Sequence, residues 1–196
     1  MKLSLARFVS LLFNPFVILV FLPFFLVYKS TGNPSESLGW TAYSFMFLLI
    51  VASIVVYYVR KKVFSDLDVS VRKQRPLLFK ILLIAGLIYI LGLYSFNAPG
   101  VLYVMVYSLL FGILVASVIN VRIKASLHVA TVSALILGFV LGYGGRYVWL
   151  LLLIPLVGWS RVKLKRHTVS ETVVGGVVGS LLLLFIYAFF EVFLKG

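Results

Sequence analysis

Residues 160–171 read Ser-Arg-Val-Lys-Leu-Lys-Arg-His-Thr-Val-Ser-Glu and lie between two long apolar runs. Apolar runs of that length cross bilayers, so the polar stretch between them is predicted to lie at a membrane surface. A helix that begins near His167 places Glu171 four residues on, on the same face. A carboxylate there accepts one imidazole N–H, so that the other ring nitrogen attacks an electrophile or accepts a proton. The cations of the same stretch suit the oxygens of a phosphate.

The composition indicates an integral membrane protein. Of the 196 residues, 63% are hydrophobic, and the mean hydropathy is +1.15. The apolar runs predict an all-α bundle of six or seven transmembrane spans, folded as a single domain over residues 1–196. The chain has no cysteine, which excludes disulfides and thiol chemistry. Because the net charge of +13 is carried by short loops, the expected partners are the bilayer and anionic lipid phosphates rather than nucleic acid, and the oligomeric state is left open.

The cations are predicted to lie almost entirely on one side of the membrane. When the predicted spans alternate, the N-terminus and residues 60–76, 120–126 and 160–167 fall on the same side. That side then holds all of the 18 Lys and Arg residues except Lys29, Arg146 and Lys195. The positive-inside rule predicts that the basic side faces the cytoplasm, which places the candidate site at the cytoplasmic face of a cell membrane.

Three basic segments on that side carry the residues expected to do chemistry. In chain order they read Asp66-Leu-Asp68-Val-Ser-Val-Arg72-Lys-Gln-Arg75-Pro76, Lys124-Ala-Ser126-Leu-His128, and the stretch 160–171. On a helix, Asp68, Arg72 and Arg75 would stack on one face. The only two histidines of the chain, His128 and His167, each begin a predicted span. Two histidines with separate roles can cleave a phosphomonoester without a metal, because one attacks phosphorus and the other protonates the departing alkoxide.

The three segments resemble the signature motifs of the type-2 phosphatidic acid phosphatase superfamily, which are integral-membrane lipid phosphate phosphatases. The resemblance covers about residues 60–180. It rests on Arg75-Pro76, on Ser126-x-His128, and on Ser160-Arg161 followed after five residues by His167. It implies a phosphatase core over these residues that needs no metal and no other cofactor.

The resemblance also implies a role for each matching residue. His167 would form a phosphohistidine, Glu171 would orient it, and His128 would act as the general acid. The phosphoryl oxygens would be held by Arg75, Ser126, Ser160 and Arg161. The family's first motif usually has a lysine where this chain has Asp68, so Lys124 or Arg72 is expected to supply that charge.

The predicted function is hydrolysis of a lipid phosphate or an isoprenoid diphosphate at the membrane interface, and two alternatives remain open. Asp68, and Leu127 in place of the family's glycine, motivate a catalytically silent relative that binds or transports a phosphorylated lipid. Alternatively, Asp66 and Asp68 could hold magnesium, as in membrane prenyltransferases. Those enzymes need two acidic clusters, whereas this chain has five acidic residues in total.

Three glycines of the last predicted span carry a structural prediction rather than a chemical one. Gly175, Gly176 and Gly179 lie within five residues of one another in an otherwise apolar run. Small residues at this spacing let two membrane helices approach closely. The sequence therefore predicts a helix-packing face here.

Overall fold

The structure is a computed structural model that describes the backbone of residues 2–194 and the side chains of residues 2–188. Its helices are α1 (Lys2–Leu12), α2 (Pro15–Thr31), α3 (Pro34–Arg60), α4 (Arg75–Ser95), α5 (Gly100–Asn120), α6 (Leu127–Tyr143), α7 (Leu153–Lys163) and α8 (Val169–Leu194). Short 3-10 helices cover Arg72–Gln74 and Gly145–Leu152. The described residues contain no strand, which confirms the all-α class. Lys195, placed above on the less basic side, lies outside the described residues.

Four of the described helices, α3, α4, α5 and α8, are long and apolar enough to cross a membrane. Counting α1 and α2 together as one broken span gives five. These helices are compatible with an integral membrane protein. The prediction of six or seven spans is not confirmed. Residues 128–143, predicted as the fifth span, fold within the 17-residue α6, and the predicted sixth span, which follows Arg146 and ends at Trp159, folds as a 3-10 helix followed by the 11-residue α7.

The chain forms two compact units, and one of them comprises Phe16–Val121. Its core is built from α2, α4 and α5, and Val27, Leu93 and Leu102 are completely buried there. Aromatic residues of α3 pack against this core. The hydroxyls of Ser44 on α3 and Tyr89 on α4 lie 2.7 Å apart, which satisfies two buried polar groups between these helices.

The loop between α3 and α4 folds back against α4 instead of continuing as a helix. The Asp66 carboxylate accepts hydrogen bonds from the Asp68 N–H at 2.9 Å and the Ser70 hydroxyl at 3.0 Å. Such local bonds compete with helix formation, and Val69 adopts a φ of +45°. The predicted helical stacking of Asp68 with Arg72 and Arg75 is therefore wrong, because residues 61–71 are not helical.

The other unit contains residues 2–15 and 122–194, and thus α1, α6, α7 and α8. Here α6 and α8 approach closely at two glycines. A Cβ on Gly175 would lie 2.6 Å from the carbonyl oxygen of Ser126, and one on Gly179 would overlap the carbonyl of Ala130. The predicted packing face is thus confirmed for Gly175 and Gly179. Gly176 is less tightly packed, because a Cβ there would meet its nearest neighbours at ordinary contact distances.

The remaining contacts of this unit hold α1 and α7 in place. The buried face of α1 consists of Ala6, Val9 and Ser10, and this helix packs on α7. Gly144, with a φ of +99°, turns the chain from α6 into the 3-10 helix Gly145–Leu152. The two helices α6, which has His128 in its first turn, and α8, which follows His167, thus belong to one packed unit.

Candidate active site

The start of α8 is fixed by a capping box formed by Thr168 and Glu171. The Thr168 N–H donates to Glu171 Oε2 at 3.2 Å, and the Glu171 N–H donates to Thr168 Oγ1 at 3.3 Å. These two bonds satisfy donors that the first helical turn leaves unpaired, and they hold the Glu171 carboxylate at the helix start. Thr168 was not among the residues predicted from sequence, although Thr-x-x-Glu before an apolar run is a recognisable signal.

The same carboxylate contacts His167. The distance from His167 Nδ1 to Glu171 Oε2 is 2.9 Å, and only 8% of the His167 surface is exposed. An ionised carboxylate can only accept hydrogen bonds, so Nδ1 is the donor. In the neutral ring, the lone pair is then on Nε2. The structure therefore brings together the two residues that the sequence paired.

Lys124 joins this pair from the segment that precedes α6. Its ammonium donates to the Arg166 carbonyl at 2.9 Å and lies 3.6 Å from Glu171 Oε2. Both side chains are largely shielded, with exposed fractions of 16% for Lys124 and 20% for Glu171. The Ser126 N–H donates to the Glu171 carbonyl oxygen at 3.0 Å. The second and third segments predicted from sequence are thus linked at three points.

Ser126 and His128 occupy the start of α6 beside this cluster. Ser126 is completely buried at the N-cap, and its Oγ has no hydrogen-bond partner among the described residues. A buried hydroxyl without a partner is costly, and most such groups in native proteins are satisfied by water or a ligand. His128 follows two residues later in the first turn of α6 and is 7% exposed. The backbone N–H groups of such a turn also favour an anion.

Ser160 and Arg161 make their contacts inside the protein. The Ser160 hydroxyl is completely buried and donates to the Val157 carbonyl at 2.8 Å. Arg161 is 3% exposed, and its Nη1 donates to Ser10 Oγ of α1 at 2.7 Å. The Arg161 carbonyl accepts the Arg166 N–H at 3.0 Å. Arg161 thus ties α1 to the turn before His167, and no sequence signal relates Ser10 to a residue 151 positions away.

The two other predicted phosphate ligands, Arg72 and Arg75, belong to the Phe16–Val121 unit. Arg75 begins α4, is 3% exposed, and donates from Nε to the Val69 carbonyl at 3.3 Å. Arg72 lies in the preceding 3-10 helix, and its carbonyl accepts from Asn120 at 3.4 Å. Their assignment to a phosphate stays a prediction from sequence. Among the described residues no group of three or more His, Asp or Glu side chains could hold a metal ion.

The cluster of Lys124, Ser126, His167 and Glu171, with His128 in the first turn of α6 of the same unit, is suited to attack on an anionic centre. It provides an imidazole oriented by a carboxylate, a cation beside them, and a second imidazole in the same unit. A phosphoryl group carries the charge that such cations recognise and the electrophilic atom that an imidazole can attack. No protein-family model, no curated protein and no solved structure matches the chain.

Proposed function

We propose that this protein is a membrane phosphatase, and that it hydrolyses a lipid phosphate or an isoprenoid diphosphate at the bilayer interface as a divergent relative of the type-2 phosphatidic acid phosphatases. The observation that carries the proposal is the 2.9 Å contact between His167 Nδ1 and Glu171 Oε2, with Lys124 Nζ 3.6 Å from the same oxygen. An imidazole held by a carboxylate in this way is oriented for nucleophilic or general-base work.

The reaction proceeds in two steps, each of which uses both histidines. In the first step His167 Nε2 attacks phosphorus, the P–N bond forms, and the P–O bond to the lipid breaks. Protonated His128 gives its proton to the departing oxygen, which leaves as an alcohol from a monophosphate or as a prenyl phosphate from a diphosphate, and Glu171 stabilises the positive charge that develops on His167. In the second step His128 takes a proton from water, which attacks phosphorus and releases inorganic phosphate and His167. No metal is required.

The phosphoryl oxygens are bound by groups at the start of α6. Lys124 supplies a positive charge, and Ser126 supplies a buried hydroxyl whose hydrogen-bonding capacity is unused among the described residues. The first-turn N–H groups of α6 add a partial positive charge. Arg161, Ser160, Arg72 and Arg75 remain expected ligands from the sequence resemblance.

The site requires that the starts of α6 and α8 lie on the same side of the membrane, so the chain between them crosses an even number of times, and two crossings there support seven of the six or seven predicted spans. The 17 residues of α6 are about 25 Å long as an α-helix. The returning segment consists of eight residues of 3-10 helix and 11 of α7, or about 33 Å. The returning segment is at least as long as α6, so α6 and this segment supply two crossings, which brings the five spans counted by length to seven. The basic segments favour the cytoplasmic side.

A second candidate is a silent relative that binds a phosphorylated lipid without hydrolysing it. The contacts of Ser160 and Arg161 favour it, because the hydroxyl proton of one and Nη1 of the other are directed to Val157 and Ser10 of the protein itself. Such a protein would bind lipid phosphates through Lys124 and Ser126 and release no phosphate from them.

The test is phosphate release by the purified protein in detergent and EDTA. Phosphatidic acid and farnesyl diphosphate, each labelled with ³²P, are supplied separately. The expected result is release from at least one lipid together with a protein label that acid removes and base preserves, since a P–N bond has these stabilities. Binding of both lipids without release would overturn the proposal in favour of the silent relative, and release abolished by EDTA would favour magnesium held by Asp66 and Asp68.

Replacement of Glu171 by glutamine is expected to lower kcat by at least about 100-fold while leaving the fold intact. The amide keeps a carbonyl oxygen that can accept the Thr168 N–H, so the cap of α8 survives. It loses the negative charge that stabilises positively charged His167 and pairs with Lys124. Steady-state phosphate release and thermal unfolding measure the two effects, with Ser170→Ala in the same turn as the control. An unchanged kcat would show that Glu171 only caps the helix.

A further inference from the structure

The first helix of the chain makes a polar contact inside the unit that holds the candidate site. Of the three buried residues of α1, which are Ala6, Val9 and Ser10, only Ser10 has a polar side chain. Its hydroxyl accepts a hydrogen bond from Nη1 of Arg161 on α7 at 2.7 Å, and both residues are more than nine-tenths buried. A hydrogen bond from a charged donor is short and strong, and a buried one is further strengthened by the low dielectric around it. The orientation of the Arg161 guanidinium therefore depends on α1.

Helix packing alone does not explain this pair. Burial of a guanidinium costs free energy, and two apolar side chains would join α1 to α7 at a lower cost. Ala6 and Val9 already supply such apolar surface on the same face of α1. What the pair adds is a fixed direction for a charged side chain that lies six residues before His167 in the chain.

The backbone of Arg161 holds the turn that leads to His167. α7 ends in a Schellman motif, in which the Arg166 N–H donates to the Arg161 carbonyl at 3.0 Å and the Lys165 N–H donates to the Val162 carbonyl at 2.9 Å. Lys165 has a φ of +56°, the left-handed conformation that glycine usually adopts at this position. Because a lysine adopts it at an energetic cost, the turn depends on the bonds that hold its two ends.

The Arg166 peptide group joins this turn to the site. Its N–H donates to the Arg161 carbonyl, and its own carbonyl oxygen accepts a hydrogen bond from the Lys124 ammonium at 2.9 Å. The His167 N–H also donates to the Arg161 carbonyl, at 3.4 Å. A displacement of Arg161 would therefore move the backbone that carries the imidazole, and would change the direction from which its Nε2 meets a phosphoryl group.

We propose that Ser10 is a positioning residue of the candidate site. Its hydroxyl fixes the Arg161 side chain, and through the backbone of Arg161 it sets the turn that presents His167. α1 is thereby part of the active site, although residues 2–12 lie outside the sequence that resembles the phosphatases. The role needs no contact between Ser10 and the substrate, which agrees with the 7% exposure of this residue. It rests on the proposed function, because it concerns the imidazole that attacks phosphorus.

The first test removes the hydroxyl. Ser10→Ala keeps α1 helical, since alanine favours a helix, and kcat/KM for a lipid phosphate is expected to fall about 10-fold, the effect of roughly one hydrogen bond. Ser10→Cys has nearly the size of the parent residue and offers only a weak acceptor, so its rate should lie between those of Ser10→Ala and the parent. Ser4→Ala is the matched control, because Ser4 is exposed on the same helix. A rate in Ser10→Ala and Ser10→Cys equal to that of the parent would overturn the proposal.

A double-mutant cycle tests whether Ser10 acts through Arg161. Arg161→Met removes the donor and leaves an unbranched side chain of similar length in the buried position. This variant is expected to be slower than the parent, and the addition of Ser10→Ala should cause no further loss, because the two residues act as one unit. If Ser10 only packed α1 against the protein, the two losses would multiply, and that result would overturn the proposal.

A spectroscopic measurement separates failure of this role from failure of the phosphatase. The chain has only two histidines, so ¹⁵N-labelled imidazoles give two sets of NMR signals, which His167→Ala assigns. Ser10→Ala is expected to shift the His167 signals, above all that of the Nδ1 proton bonded to Glu171, and to leave those of His128 in place. Such a shift supports the role of Ser10 even if the parent releases no phosphate, a result that contradicts the phosphatase alone. Unchanged His167 signals would overturn the role of Ser10 even in an active enzyme.

Discussion

Replacing His167 by alanine is expected to lower phosphate release by at least about 10⁴-fold, because the variant has no group left to form the covalent intermediate. Glu171 is held by Thr168 and Lys124, so it remains in place and cannot substitute for an imidazole. The variant should still bind the lipid through Lys124 and Ser126. Phosphate release in EDTA, the acid-labile protein label and lipid binding are measured on the same preparation, and only the first two should be lost.

The matched control for this substitution is Lys163→Ala in the last turn of α7. Lys163 is exposed and only four residues before His167, so the variant removes a nearby cation without touching the imidazole. It should retain kcat within about threefold of the parent, since exposed charges contribute little at this distance. A His167→Ala protein that still released phosphate, or that lost lipid binding as well, would contradict the role assigned to His167.

The pairing of His167 with Glu171 was predictable from their spacing, although the structure reaches it by a different route. A helix from His167 would have placed the two side chains on one face. Instead α8 begins at Val169, and the pair meets across the capping box of Thr168 and Glu171. The prediction succeeded because a residue just before a helix also lies close to the third residue of its first turn. Two hydrogen bonds could not be predicted from the sequence, namely that from Lys124 to the Arg166 carbonyl and that from the Ser126 N–H to the Glu171 carbonyl. Both depend on how α6 and α8 pack.

Hydropathy predicted the apolar segments but not the number of helices long enough to span. Residues 148–157 are almost all apolar, yet this segment begins as a 3-10 helix before α7. A hydropathy pattern records which residues avoid water and not the rise per residue of the backbone. The loop around Asp66 was predicted as a helix because the spacing of its charged residues favours one. Its backbone is not helical, since the Asp66 carboxylate accepts local hydrogen bonds that compete with helix formation.

The packing of α6 on α8 supports the site directly, and Gly179→Ala is expected to disrupt it. A Cβ at this position would overlap the carbonyl of Ala130, a backbone atom that cannot rotate away. The two helices must then separate, one turn from the place where Gly175 lies against Ser126. Overpacking of this kind costs up to about 3 kcal/mol, which for a chain of this size lowers the Tm by on the order of 10 °C. Activity should fall as well, because the Ser126 N–H is moved away from the Glu171 carbonyl.

Gly176→Ala in the same helix is the matched control for this prediction. A Cβ there would lie 3.6 Å from Ser133 Oγ and from Val129 and 3.8 Å from Ile154, which are ordinary contacts. Alanine also favours a helix over glycine by about 1 kcal/mol, so this variant should be as stable as the parent or slightly more stable. Thermal unfolding of both variants in the same detergent measures the contrast. Equal Tm values would show that α6 and α8 are not held together at Gly179, and the site would then lack the packing that aligns Ser126 and His128 with His167.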